Sequence, residues 1–381
     1  MRNGALVLTT LVAASALSAP AAVAAPELPA IPQALSSYDG CRSASTVDTA
    51  EKPWAQAQLQ PERAWQHGNG TGVTVAVVGS GVDATSSALA GRVDGSGPDC
   101  VGYGTFVAGI IAAAPHPGGG FAGVAPGARI LAVKATDQRG NATADGLANG
   151  IRTAVAGGAR VISVAAASTE PSDALAAAVR DAAAAGALVV APASTGDGDK
   201  AVQAFPAAYP EALSVAATAP DGSPTRSAQP QIKVDVAAPG AAMTGVGPGG
   251  NGLFISGGDA VAAAQVSGTA ALALSYRPHL TTEDLARRLR DTAYPPPGGA
   301  PHSFLGSGVV DPATAVTAEL PAAAGKPPTI PAAVHMPPAT DPTPSTTAAI
   351  LATAAALVIG AAAALAVVIP RGRNRRWRAA P

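Results

Sequence analysis

The stretch Thr74 to Asp83, TVAVVGSGVD, is the first whose residue types suggest chemistry. A β-branched apolar run ends in Gly79-Ser80-Gly81. With Val82, Asp83 and Ala84 it matches G-x-G-x-x-A, the turn that seats a dinucleotide's pyrophosphate on a helix N-terminus. Three features speak against that use. The glycines should open a helix, yet the next residues, DATSSALAGRVDGSGPDC, are broken up by Gly and Pro. The acidic residue expected about 20 positions on falls, as Asp99, in a Gly/Pro loop rather than at a strand end. The N-terminus, Arg2 followed by the apolar run Ala5 to Leu17, also reads as an export signal, which would take the chain away from the cell's nicotinamide pool. Other polar groups stand near glycines farther along, in Gly102-Tyr103-Gly104-Thr105, in Ser194-Thr195-Gly196 and in Gly257-Gly258-Asp259-Ala260. The histidines, His67, His116, His279, His302 and His335, lie outside these turns. A net charge of −1 gives no basic face for nucleic acid.

Such turns need rigid elements behind them. Between residues 71 and 319, short apolar runs alternate with helical patterns. Strands are expected at Val73–Val78, Arg129–Lys134, Arg160–Val164, Leu188–Ala191, Ala212–Ala216 and Lys233–Ala237. Helices are expected at Thr105–Ala114, Thr143–Ala156, Pro171–Ala185, Ala260–Tyr276 and Thr282–Thr292. Alternation of this kind predicts an α/β fold, a mostly parallel twisted sheet between two helical layers. Its site belongs off the carboxyl ends of the strands.

The stretches DCVGYGTFVAGIIAA, VAPGARILAVKATDQRG, FISGGDAVAAAQVSGTAAL and GSGVVDPATAV, in this order and spacing, resemble the subtilisin-like serine proteases of peptidase family S8. KPWAQAQLQPERAW ahead of the first strand, Cys100 before the Gly-x-Gly-Thr turn, a Pro-rich linker and a C-terminal apolar segment are similar to mycosins. Those are the membrane-anchored subtilisin relatives of actinobacterial type VII secretion systems. The resemblance implies four catalytic stations: an aspartate ending the first strand, a histidine in Gly-His-Gly-Thr, an asparagine amide for the oxyanion, and a serine opening a long helix. The matching positions here are Gly79, Tyr103, Thr195 and Ala260, with Ser194 or Asp197 as alternatives to Thr195 in a shifted register. The family's chemistry is therefore not expected. Alanine has no attacking oxygen, and a phenol with a pKa near 10 is a poor base at neutral pH. Losing a triad costs on the order of 10⁶ in rate, and losing an oxyanion donor another 10²–10³.

Ser256, Asp259, Asp83 and Asp99 are the polar groups expected near the vacated cleft. Asp259 is expected to act as N-cap of the helix opening at Ala260, adding about 1 kcal/mol. Ser163, Ala165, Ala166, Gly258 and Asp259 are the candidate groove residues. Val161 to Val164 followed by alanines reads as a sheet-core strand, or as an edge that holds an extended peptide by strand addition. Asp197 and Asp199 read as a solvated turn, since a calcium cage needs more oxygen ligands. The N-x-T match at Asn141 carries little weight in a bacterial chain. No metal and no cofactor is expected.

Both ends carry membrane signals. Arg2, the apolar run Ala5 to Leu17 and Ala22-Val23-Ala24 read as a signal peptide over 1–24. Residues 25–70 form an arm in which Trp54, Leu59 and Trp65 are expected to pack on the body. Cys41 and Cys100 are expected to pair, because export exposes thiols to oxidation. A Pro-rich linker covers 320–346. Residues 347–369 carry no charge and are long enough for a span, for which about 20 residues suffice. Gly360 to Ala364 is a small-xxx-small spacing. The tail 370–381 holds Arg371, Arg373, Arg375, Arg376 and Arg378, which implies a cytoplasmic C-terminus with the main domain outside. The expected protein is a membrane-anchored, mycosin-like pseudoprotease, a scaffold that assembles with type VII secretion subunits and with copies of itself. The alternatives are an endopeptidase working through relocated residues and a peptide-binding module that captures exported polypeptides without cutting them.

Overall fold

The computed structural model describes residues 27–38, 40–95, 97–115, 120–196, 201–225, 232–321 and 343–374. The expected signal peptide, His116, His335, Asp197, Asp199 and most of the linker lie outside them. One compact unit extends to Pro321 and a second begins at Ala322.

Among the described residues, the first unit has eleven strands. They are β1 (Thr74–Gly79), β2 (Val93–Gly95), β3 (Arg129–Lys134), β4 (Val161–Val164), β5 (Leu188–Pro192), β6 (Ser194–Thr195), β7 (Val202–Gln203), β8 (Ala212–Thr218), β9 (Val236–Pro239), β10 (Met243–Val246) and β11 (Leu253–Ser256). Its α-helices are α1 (Trp54–Leu59), α2 (Tyr103–Ala112), α3 (Ala144–Ala156), α4 (Asp173–Ala184), α5 (Asp259–Tyr276), α6 (Thr282–Asp291) and α7 (Pro312–Thr317). Seven strands form a parallel sheet in the order β2-β3-β1-β4-β5-β8-β9. β10 and β11 form an antiparallel hairpin, and so do β6 and β7.

Strand periodicity divides the interior. Val75 and Val77 of β1 face the layer of α2 and α5, whereas Ala76 and Val78 face α3 and α4. Both faces are covered, so the strands read as continuous apolar runs. Helix α5 is buried along nearly its whole length, as a helix apolar on every side must be. Local caps set the starts of the outer helices: Thr143, Ser172, Thr281 and Asp311 each accept a first-turn N–H with a side-chain oxygen.

Strand β9 begins at Val236, three residues later than Lys233–Ala237 implies. The Lys233 ammonium turns to the carbonyls of Tyr209 and Ala212 and to Asp235, while Asp235 accepts from the Ser214 N–H. These polar groups tie a loop to β8 rather than extend the ladder. In the arm, Trp54 and Trp65 donate indole N–H groups to the carbonyls of Ala241 and Val124, and Leu59 is buried. Cys41 and Cys100 form a disulfide.

The second unit is described as one helix, α8 (Thr343–Asn374). Its stretch Ala348–Gly372, 25 residues with a mean hydropathy of 2.5, is long and apolar enough to cross a membrane.

Candidate functional site

The carboxyl ends of β1, β4 and β5 and the starts of α2 and α5 converge where an α/β sheet places its site. Gly79 is the last residue of β1 and brings no functional group. Its surroundings have closed on it: a Cβ built there would stand 2.9 Å from the Ala165 Cβ. Tyr103, the first residue of α2, is buried, with its hydroxyl 3.5 Å from the Gly257 carbonyl oxygen. Ala260, in the first turn of α5, is 3 % exposed. Thr195, in β6, lines a groove of about 960 Å³ together with Ala166, Ala167, Gly196 and Ser256.

Four of the five candidate groove residues sit differently from expectation. Only Ala166 lines that groove. Ala165 is buried beneath it, and only its carbonyl is engaged from the arm, by Gln33. Ser163 is fully buried with its hydroxyl unpaired, because odd-numbered β4 residues point into the α2 and α5 layer. Gly258 is the N-cap residue of α5, with φ at 111°, a conformation suited to glycine. Asp259 is therefore not the N-cap. It is the first helical residue, 4 % exposed, and its carboxylate reaches outward from the helix axis. One oxygen accepts from the N–H and hydroxyl of Ser194, the other from the N–H of Ala217. The charge thus ties α5 to β6 and β8, because those strand ends present N–H groups toward it.

A capping role is taken instead at another helix, α2, by Asp99, which is expected from sequence only near the cleft. Its carboxylate accepts from the N–H of Gly102 and from the N–H and hydroxyl of Thr105. Ser80 adds an oxygen for the N–H of Gly104 at 3.0 Å. The spacing Asp-x-x-Gly-x-x-Thr carries that signal in sequence; nothing local marks Ser194 as a partner of Asp259. Asp83 stands at the mouth of the loop after β1. Burial would push its carboxyl up, but bonds from the Thr85 N–H and hydroxyl and the Gly249 N–H hold it below its usual range.

Relocated nucleophiles are poorly served by this arrangement. Ser194 is 7 % exposed and engaged with a buried carboxylate. Ser256 donates its hydroxyl proton to the Ile31 carbonyl at 2.7 Å. His67 stacks edge-on against Tyr276, near the far end of α5. Among the described residues, no group of His, Cys, Asp and Glu is arranged to hold a metal ion.

The fold and the geometry of these stations define a subtilisin-type domain, and the family model for peptidase S8, the subtilase family, matches residues 70–311. The chain belongs to that family, and mycosins are among its relatives. Mycosin-1 of Mycolicibacterium smegmatis is 31% identical over 354 residues, covering 76% of this chain and 79% of the relative. The crystal structure of MycP1 from the ESX-1 type VII secretion system superposes with a TM-score of 0.66 at 28% identity, covering 78% of this chain and 96% of that one. A chain in the periplasmic assembly of the ESX-5 inner membrane complex superposes with a TM-score of 0.64 at 27% identity, covering 79% and 94%.

Proposed function

We propose that this chain is a mycosin-like pseudoprotease that serves as a membrane-anchored scaffold in a type VII secretion system. The observation that carries this reading is Ala260: the helix expected to present the family's nucleophile has a methyl group at its second residue. Gly79 and Tyr103, at the other triad positions, supply neither an orienting carboxylate nor an imidazole. Thr195, at the oxyanion position, has a hydroxyl in place of an amide. The subtilisin-type relatives are proteases, so the departure belongs to this chain rather than to the fold.

In this reading the signal peptide exports residues 25–319, the apolar part of α8 spans the membrane, and the arginines that follow it stay cytoplasmic. The boundaries are those of the sequence analysis: arm 25–70, body 71–319, linker 320–346, span 347–369, tail 370–381. The site residues are Gly79, Tyr103, Thr195 and Ala260, none of them catalytic. A second reading, a peptide-binding module, draws on the 960 Å³ groove.

Affinity purification of the full chain from its native membranes in mild detergent separates the two. The scaffold reading expects type VII membrane subunits in a fixed ratio on a sizing column. Elution of the chain alone, at monomer size, would contradict it.

A further inference from the structure

Where the chain passes from β7 into β8, three main-chain carbonyls turn their oxygens toward one point. Those of Ala207, Tyr209 and Ala212 stand 3.3, 3.0 and 2.6 Å from the Lys233 Nζ. The Asp235 Oδ2 completes the set at 3.0 Å. An ammonium has three N–H donors, and here four oxygens face it. Such a set is arranged around a charge rather than around single hydrogen bonds. Main-chain carbonyls joined by a carboxylate are also the oxygen ligands that hold hard metal cations.

The cage is tied to two segments that line the groove. The Lys233 N–H donates to the Gln203 side-chain oxygen at 2.9 Å, and β7, which holds Gln203, pairs with β6 through Val202 and Thr195. From the same connection, Phe205 and Ser168 exchange backbone hydrogen bonds at 2.9 and 3.0 Å. The Tyr209 hydroxyl accepts from the Ser172 N–H and donates to the Ser172 carbonyl, both at 2.9 Å. Ser168 directly follows Ala166 and Ala167, which line the groove with Thr195. The cage therefore fixes the connection that braces both walls, although none of its own residues lines the groove.

We propose that Lys233 is a built-in cation: its ammonium fills an oxygen cage as a bound ion would, and the cage takes a large monovalent cation once the lysine is removed. Size selects that class. The oxygens stand 2.6–3.3 Å from the nitrogen, wider than the spacing of about 2.3–2.6 Å that calcium adopts with about 6–8 oxygens. Potassium is an ion whose hydration shell main-chain carbonyls replace. While the ammonium is seated, its charge repels a second cation from the same oxygens. The connection from β7 to β8 is thus set without a free ion. The proposal goes beyond the scaffold reading and does not rest on it, since the cage would brace the groove whether or not the groove had chemistry.

The test uses the full chain in detergent, in choline chloride or potassium chloride of equal ionic strength, with amide-exchange mass spectrometry as the readout. Exchange over residues 204–212 of the wild-type chain should be the same in both salts. In choline chloride, Lys233→Ala should quicken it at least tenfold. Potassium chloride should then slow the variant at least threefold, and lithium chloride, whose ion is too small for the cage, should not. A potassium effect on the wild-type chain would overturn the proposal. So would a folded Lys233→Ala chain that exchanges like the wild type, or one on which the three salts act alike. Should circular dichroism show that Lys233→Ala does not fold, the wild-type chain is treated with an amine-acetylating ester. Lys233 should then react at least tenfold more slowly than the exposed Lys134; equal rates would overturn the proposal. Residual proteolysis would refute the pseudoprotease reading without moving either readout.

Discussion

Helices α2 and α5 both start off the carboxyl ends of the sheet strands, both are buried, and both have a buried aspartate near the first turn, yet the two carboxylates work differently. Asp99 serves its own helix, accepting from Gly102 and Thr105. Asp259 belongs to α5 but bonds to Ser194 and Ala217, in segments 65 and 42 residues away. One is a local device and the other joins distant parts of the chain. The start of α5 is a structural joint.

The difference is testable by removing each carboxylate. Asp259→Ala leaves the N–H groups of Ser194 and Ala217 buried without that acceptor and should cost about 3 kcal/mol. Its amide-exchange effect should spread through β6, β8 and α5. Asp99→Ala should cost about 2 kcal/mol, with faster exchange confined to the first turn of α2. Equal and equally local effects would abolish the distinction. Chemical denaturation with exchange mass spectrometry reads both.

A smaller effect is expected at Gly79, where a Cβ would meet that of Ala165. Gly79→Asp should destabilise by about 1 kcal/mol, because a new Cβ overpacks against Ala165. Adding Ala165→Gly should recover at least half of that loss. A Gly79→Asp chain as stable as the wild type would show that the station had stayed open.

The smallest effect belongs to Asp83, at the exposed mouth. Its carboxyl is held below the ordinary 3.8, so its contribution is present above that value and fades as pH falls through the lowered one. Water screens the site, so Asp83→Asn should cost no more than about 1 kcal/mol at pH 7. The cost should shrink as pH falls below the ordinary carboxylate range, as read from thermal midpoints across pH.

Legibility in sequence followed the same division between local and distant causes. The expected boundaries of β3 coincide with those in the structure, and α3, α4, α5 and α6 fall within two residues of expectation, because period and caps are written locally. Gly79, Tyr103, Thr195 and Ala260 are picked out by short motifs alone. The short strands β2, β6 and β7 carry too few residues for a periodic signal. Asp259 was read as a cap because Asp before a helix usually is one; the N–H groups of Ser194 and Ala217, brought to it by the sheet, outweighed that preference. The bond from the Ile31 N–H to the Ile255 carbonyl was not legible either. ELPAIPQAL has no strand period, and its partner lies far along the chain.

The central claim is that this groove cannot cut a peptide bond. The direct measurement incubates the full-length chain, in detergent and freed of other proteases, with fluorescent casein and a fluorophosphonate probe over many hours. The expected result is no turnover above buffer and no labelled serine. Casein hydrolysis that disappears in Ser194→Ala or Ser256→Ala would contradict it.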